Sequence, residues 1–509
     1  MSAHGFHGGL RLDKHTEAVI ARPIQQAAPS AVLALSLQQH RDLRLQACVQ
    51  IGDSVQAGQV VARPDLDIGD TRLGAWLHAP CDGEIIGIES RPLIQQPNQS
   101  GPHLLLRVRE DSTSATCQID AMTAAESLPA MLARAGLSGL GGANFPSADK
   151  LLNHVDTLIL NGAECEPWIA CDEGLLIESA ALVIEGAQVL ARACAAQRIE
   201  IALESHMARA IDAVQAVLQK VPADDGVPLR LHCLPSRYPQ GSARQLIEAL
   251  TGKQVPVGQH SAAVGVVVYN VGTAHAAALA CRGRALTHRI VTVSGPGVRA
   301  PGNYRVALGS SVTDVIASAG GYTAQARRLL IGGPLMGVAL PHDDFALQKG
   351  SNCVLVMDQV RTRDATTAQP CIRCGDCAAV CPARLSPQLL WQSAQAQRPE
   401  QARADGVQSC IECGLCDLVC PSQIDLTRQF HDIKHTLWLA ERKQQQANSA
   451  RQRYEQRTLR LQREAQALEA KRASAGKEAL SASVVAAAIA KAKARRLSKP
   501  AGDEGESSA

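Results

Sequence analysis

Short apolar runs broken by Gly and Asp turns dominate the first part of the chain. Gln50 to Ala62 reads as strand, Gly52-Asp53 turn, strand, Gly58 turn and strand. His78 to Ile88 repeats the pattern around a Cys81-Asp82-Gly83 turn. Further on, Thr157-Leu-Ile-Leu160 predicts a short buried strand. The apolar stretch Val264–Ala280 is interrupted by Asn270, Thr273 and His275, so it predicts a strand followed by a helix rather than a membrane span. Arg289–Val293 through Gly320-Gly321-Tyr322 predicts strand, turn, strand and helix, and Ile331–Gly337 a tight Gly/Pro turn. Residues 435–497 change character. They are rich in Ala, Gln, Arg and Lys, lack proline and hold Gly476 as their one glycine, so one or two long helices are expected. Lys434-His-Thr-Leu437-Trp438-Leu439 gives that segment an apolar anchor. The pattern as a whole is that of a multidomain α/β chain.

A length of 509 residues implies three or four domains. Aromatic residues make up only 3%, so the core is built from small and branched aliphatics. No run of 18 apolar residues occurs and the first residues show no export signal, so the chain is expected neither to span a membrane nor to be exported. Charge is uneven. Between 441 and 499 stand 15 Lys/Arg and 5 Asp/Glu, whereas the whole chain carries only +3. An anionic partner, either a membrane surface or an acidic protein of the same assembly, fits that asymmetry. Nucleic acid does not, because only Tyr454 supplies an aromatic in the basic segment.

Two cysteine runs carry the strongest chemical signal. Cys371-Ile-Arg-Cys374-Gly-Asp-Cys377-Ala-Ala-Val-Cys381-Pro and Cys410-Ile-Glu-Cys413-Gly-Leu-Cys416-Asp-Leu-Val-Cys420-Pro are both C-x2-C-x2-C-x3-C-P. In this pattern the fourth cysteine of each run ligates the other cluster. Cys371, Cys374, Cys377 and Cys420 are therefore assigned to one [4Fe–4S] cluster, and Cys410, Cys413, Cys416 and Cys381 to a second. Zinc sites favour wider gaps between cysteine pairs. Oxygen-sensitive clusters beside nine further cysteines point to a reducing compartment. Asp376, Glu412 and Asp417 flank the ligands, and their charge would lower cluster potentials.

The middle of the chain holds a second signal. Gly136-Leu-Ser-Gly139-Leu-Gly141-Gly142-Ala-Asn-Phe145-Pro-Ser-Ala-Asp-Lys150 is a glycine-rich loop ending in a cation. Without Cβ atoms its N–H groups can close on a phosphate. It fits neither the nucleoside triphosphate loop nor the dinucleotide fingerprint. The Thr157–Leu160 strand then feeds Asn161-Gly-Ala-Glu164-Cys-Glu166-Pro167, a polar cluster at a strand end, where α/β folds place ligand sites.

These segments resemble the flavin loop and the Asn-x-x-Glu-x-Glu-Pro segment of the NADH-oxidising subunit of respiratory complex I. Tyr238-Pro-Gln-Gly241 and Tyr269-Asn270-Val-Gly-Thr273 match further segments of that family. With N-terminal Phe6-His-Gly-Gly9 and tandem ferredoxin runs, the order over about residues 5–435 is similar to the RnfC family of the Rnf ion-translocating oxidoreductases. The resemblance implies five segments. These are a barrel-sandwich hybrid at 1–115, without the carrier lysine of lipoyl domains, and an FMN/NADH domain at 116–285. A β-grasp (SLBB-like) module at 286–350, an α-helical tandem [4Fe–4S] domain at 351–434 and a basic helical tail at 435–509 with a disordered end follow.

The resemblance further implies that Gly139, Gly141, Gly142 and Lys150 contact an FMN, and that Asn161, Glu164 and Asn270 bond its ribityl or ring edge. Phe145 would stack on the nicotinamide of NADH and Glu166 contact its carboxamide. Departures occur at Ala163, Asn144, Tyr269 and after Gly241. They leave a second reading, a non-catalytic iron–sulfur relay or assembly scaffold. Implied partners are the other subunits of a membrane complex at the cytoplasmic face of the bacterial inner membrane, with ferredoxin reached indirectly.

Overall fold

The computed structural model of the chain describes residues 5–40, 43–66, 70–110, 126–152, 154–221, 226–358, 368–477 and 482–497. It divides into two compact units, 1–434 and 435–509. The expected boundary at 115 and the expected disordered end of the tail lie outside the described residues.

In the first unit, strands Val32–Ser36, Gln96–Val108, Gly83–Leu93 and Ser54–Val55 form one sheet. Leu45–Ala47, Val60–Pro64 and Leu77–His78 form a smaller one. Their inward residues, among them Leu33, Leu35, Val61, Leu77, Ile85, Leu104 and Leu106, share one core. The alternating pattern of the sequence is this sandwich's in-and-out register.

The third sheet is all parallel, in the order Leu229–Leu234, Arg198–Glu204, Thr157–Gly162, Val266–Asn270. Helices Cys171–Ala193 and Val271–Cys281 pack on it, drawn together where Gly186 meets Ala274. There a Cβ would lie 1.7 Å from the Ala274 carbonyl oxygen, so only glycine fits. Leu158 and Leu160 from the short apolar run are fully buried. Because that strand is central, its carboxyl end delivers Asn161 to Glu166 to the middle of the sheet's upper edge.

A six-stranded mixed sheet follows, in the order Gln25–Gln26, Gly302–Ala307, His288–Ser294, Cys353–Met357, Arg328–Ile331, Val338–Leu340. Two of its strands come from outside the expected module. Cys353–Met357 is a run of apolar residues buried at 0–1% over Cys353–Val356, and it pairs with both His288–Ser294 and Arg328–Ile331. Its burial places it in the sheet, so the sheet passes the expected end at 350. Gln25–Gln26, from the segment expected to belong to the sandwich, adds a parallel edge beside Tyr304 and Arg305.

The cysteine-rich segment is made of short helices, Asp376–Ala379, Pro387–Gln395, Pro399–Ala404 and Leu415–Val419. In the second unit the helix Leu426–Lys477 continues from residue 435, and Ala482–Leu497 forms another. Among the described residues one helix, Cys171–Ala193, is long and apolar enough to cross a membrane, but it is packed in the core of the parallel-sheet domain.

Candidate functional site

The glycine-rich loop is fixed through its carbonyls and side chains. The N–H of Gly139 donates to the Phe145 carbonyl at 2.8 Å, and the N–H of Leu140 donates to Thr273 Oγ1 at 3.0 Å. Gln95 Nε2 donates to the Gly142 carbonyl at 3.3 Å. Asn144 adopts a left-handed φ of 50°. Its amide donates to the Gln39 carbonyl and accepts from Ser138 Oγ, which ties the loop to the sandwich. Asn tolerates this conformation better than other non-glycine residues, which accounts for it where the complex I family has Gly. Gly142 has φ +106°, and a Cβ there would meet nothing within 4 Å. The backbone N–H groups of Gly141, Gly142 and Ala143 have no acceptor among the described residues. Consecutive N–H groups without an internal acceptor are the kind of donors that bind a phosphate, and the space beside Gly142 is open.

Phe145 and Ala143 line an open cavity of about 590 Å³ together with His40, Gln95, His260 and His431. The Lys150 ammonium sits 5.6 Å from the Phe145 ring centre and 5.5 Å from that of Tyr269. Burial holds its pKa below the ordinary lysine value. Ser147 Oγ and Gln240 Nε2 are buried near the loop and the strand ends with no hydrogen-bond partner among the described residues.

At the strand ends the polar side chains hold one another. Asn161 donates to the Gly241 carbonyl at 2.9 Å and accepts from the N–H of Ala163 at 3.1 Å. Asn270 caps helix Val271–Cys281 by accepting from the N–H of Gly272 at 2.8 Å, and its amide donates to Asp172. Glu164 accepts from the N–H of Glu173 at 2.8 Å and from the Cys171 thiol at 3.3 Å. Burial raises Glu164 to about 7 and Asp172 well above the usual carboxylate range. Each residue expected to bond a flavin edge therefore already has protein partners. Asp172 and Cys171, not singled out from sequence, complete the knot. The signal for Asp172 was its place in the first turn of the helix after the Glu-x-Glu-Pro segment.

Glu166, expected at the nicotinamide carboxamide, is engaged by backbone of the next sheet. Its carboxylate accepts from the N–H groups of Met336 at 2.8 Å and Leu335 at 3.3 Å, in the turn Ile331–Gly337. Gly333 makes room for it, since a Cβ there would fall 2.3 Å from Glu166 Oε2. Burial pushes this carboxyl up to about 7.

Each cysteine quartet lines a cavity of its own. Cys371, Cys374, Cys377 and Cys420 line one cavity of about 310 Å³, and Cys381, Cys410, Cys413 and Cys416 line another. The local backbone repeats between the runs. Arg373 and Glu412 have φ of 56° and 55°, Gly375 and Gly414 86° and 73°, and Arg384 and Gln423 55° and 54°. The N–H of Leu385 donates to Cys381 Sγ and that of Glu412 to Cys410 Sγ, each at 3.4 Å. A thiol-only donor set with backbone N–H groups turned on the sulfurs suits iron–sulfur ligation. Glu412 is paired to Lys434, so its charge is largely offset at the cluster it was expected to bias.

The second quartet touches the parallel-sheet domain. Cys413 and Leu415 share an apolar cluster with Cys165, Tyr238 and Leu335. Tyr238 Oη donates to the Cys413 carbonyl at 2.8 Å and lies beside Glu166. The N-terminal Phe6–Gly9 segment closes the seam. Gly9 N–H donates to the Val380 carbonyl at 2.8 Å, and Leu10 exchanges backbone hydrogen bonds with Tyr238. A Cβ at Gly8 would lie 2.4 Å from the Val380 oxygen, which explains the glycine pair.

The arrangement defines a class: a flavin-type domain joined to a two-cluster ferredoxin module. Family models match in the same order, an RnfC barrel sandwich hybrid domain at 4–105, a Nuo51 FMN-binding domain at 132–278, an SLBB domain at 290–339 and a 4Fe-4S dicluster domain at 367–424. The RnfC-type subunit of the ion-translocating oxidoreductase complex of Rhodobacter capsulatus is 35% identical over 76% of this chain and 74% of its own length. Its counterpart in Pseudomonas aeruginosa is 39% identical over 91% of this chain, which spans 60% of that relative. The chain belongs to this RnfC family of ion-translocating oxidoreductase subunits. A solved NAD+-reducing [NiFe]-hydrogenase in the H2-reduced state aligns at 22% identity and TM-score 0.41, over 59% of this chain and 62% of that one, too distant to carry an argument.

Proposed function

We propose that this chain passes electrons between NADH, an FMN seated at the Gly139–Gly142 loop, and two [4Fe–4S] clusters on the eight named cysteines. The observation that carries this reading is the apolar seam joining the parallel strand ends to Cys413. It puts a two-electron site and one-electron sites in one body. A bound flavin supplies the conversion between hydride and single-electron chemistry. The free N–H groups of Gly141, Gly142 and Ala143 would hold its phosphate. Phe145 offers a ring face in the open cavity for the nicotinamide. Glu166 positions the Leu335–Met336 turn against the seam rather than contacting the dinucleotide.

In this reading Cys410, Cys413, Cys416 and Cys381 hold the inner cluster, next to the flavin domain. Cys371, Cys374, Cys377 and Cys420 hold the outer one. The chain serves as a peripheral subunit at the cytoplasmic face of the bacterial inner membrane. Membrane subunits carry ion movement and exchange with ferredoxin. The test is anaerobic reconstitution of the chain, an iron and flavin count, and titration with NADH. About eight irons per chain, one FMN and flavin bleaching by NADH support the reading. A chain with full iron that takes up no flavin and does not respond to NADH is a relay only.

A further inference from the structure

Two buried cations from the six-stranded sheet region end on the glycine-rich loop. Arg289, on strand His288–Ser294, is 6% exposed, and its guanidinium donates to the Leu140 carbonyl at 3.2 Å and to the Lys349 carbonyl. Lys349 is fully buried, and its ammonium donates to the carbonyls of Gly136 at 2.9 Å and Trp76 at 2.7 Å. No carboxylate is hydrogen-bonded to Lys349 among the described residues. Desolvating a lysine is costly, and burial pushes this one down to about 7. Packing alone would be served better by an apolar residue.

The geometry states what such cations do. In a trans peptide the carbonyl and the following N–H point in opposite directions. Pinning the Leu140 oxygen on Arg289 turns the Gly141 N–H to the other side of the loop. The Gln95 contact on the Gly142 oxygen does the same for the Ala143 N–H. Lys349 fixes the base of the loop to the sandwich through Trp76. The N–H groups of Gly141 and Ala143 are thus oriented by side chains outside the flavin domain.

We infer that Arg289 and Lys349 are positioning residues that preorganise the Gly141–Ala143 N–H groups for the phosphate of FMN. This gives the β-grasp region a part in cofactor binding, and it rests on the FMN reading above. The discriminating probes are FMN and riboflavin, which differ only in the phosphate. Flavin-fluorescence quenching on the anaerobically prepared, flavin-free full chain measures both affinities for wild type, Arg289→Gln, Lys349→Met and Arg284→Gln. Arg284, a few residues before the strand and not bonded to the loop, serves as the control.

Arg289→Gln is expected to weaken FMN binding about tenfold, or about 1.4 kcal/mol, with riboflavin affinity and iron content unchanged. Lys349→Met should weaken FMN by a smaller factor, and Arg284→Gln not at all. Equal loss for both flavins, or no loss of FMN affinity, overturns the inference. Wild type that binds no FMN overturns the reading beneath it instead, and this inference with it. Should Arg289→Gln lose its clusters, Arg289→Lys carries the test. It keeps the charge but loses the fork, so FMN affinity must still fall selectively.

Discussion

Cys374 and Cys413 hold the same place in their two runs, yet Cys374 stands exposed while Cys413 is only 8% exposed. The backbones around them match residue for residue in their left-handed positions. Their surroundings do not. Around the first run, Ile372 is 68% exposed and Leu389 also faces solvent. Around the second, Leu415 and Phe430 are buried, and Tyr238 and Leu335 cover the seam. Burial raises the free thiols of Cys410 to about 11 and Cys413 to about 12. A shared motif thus builds two sites with different access. Which one meets the flavin domain is set by what packs on it, because cluster potential follows solvent exposure and hydrogen bonding rather than spacing.

The most severe break of the comparison is to remove one ligand from each site. Cys413→Ser should lose about half the iron and leave the outer cluster unreduced by NADH, since its route passes through the seam. Cys374→Ser should lose a similar share yet leave the inner cluster reducible. Iron counting and electron paramagnetic resonance after NADH addition decide this, and equal behaviour of the two variants would sink the inner–outer assignment. A milder probe uses the intact protein. An iron chelator with limited air should strip the outer cluster about ten times faster than the inner one, because the cavity at Cys374 opens to solvent. Simultaneous loss would mean that the seam does not shield.

Glu166 sharpens the comparison through pH. Its folded carboxyl takes a proton at about 7 against an ordinary 4.5, so between those values the folded state holds the extra proton. Stability from this group is therefore full below about 4.5 and falls as pH rises through 7. Glu166→Gln should flatten that fall by roughly 1–3 kcal/mol in anaerobic thermal or urea unfolding. Glu164 and Glu173 are also raised to about 7 by burial, so part of the slope persists. An unchanged slope would show that Glu166 ionises freely.

Much of this was legible in the sequence, and the reason is local. The cysteine spacing groups the same four residues that line each cavity, because the ligand turn is short and repeats. The apolar run at Thr157–Leu160 announced the central strand, and the glycines announced the loop. What escaped is what depends on distant partners. Glu166 looked like a site acid because its partners, the N–H groups of Leu335 and Met336, lie some 170 residues away. Arg289 was visible only as the start of a strand and Lys349 not at all, until the fold set them on carbonyls of the glycine-rich loop. Asn161 and Asn270 had the right types for a ligand edge, but the structure shows each bonded to its own strand-end neighbours. Strand Cys353–Met357 lay past the expected module because a short apolar run carries no address.

The finest break of the comparison is one hydroxyl. Tyr238 is the one side chain of the parallel-sheet domain whose described hydrogen bond ends on a carbonyl within the second cysteine run. Nothing equivalent is described at the first run. Tyr238→Phe keeps the ring, and with it the packing against Cys165 and Leu335. It removes the bond to the Cys413 carbonyl, worth about 1 kcal/mol, together with the hydroxyl's interaction with the neighbouring Glu166 carboxylate. Stability should fall by about that amount. The inner cluster should shift in potential by on the order of 10–20 mV, because only part of that bond energy differs between oxidised and reduced states. The outer cluster, beyond reach of the hydroxyl, should not move. Redox titration followed by electron paramagnetic resonance reads both clusters in one sample. If both potentials shifted together the change would be a general loosening, and if neither did, the hydroxyl would serve only to hold the seam.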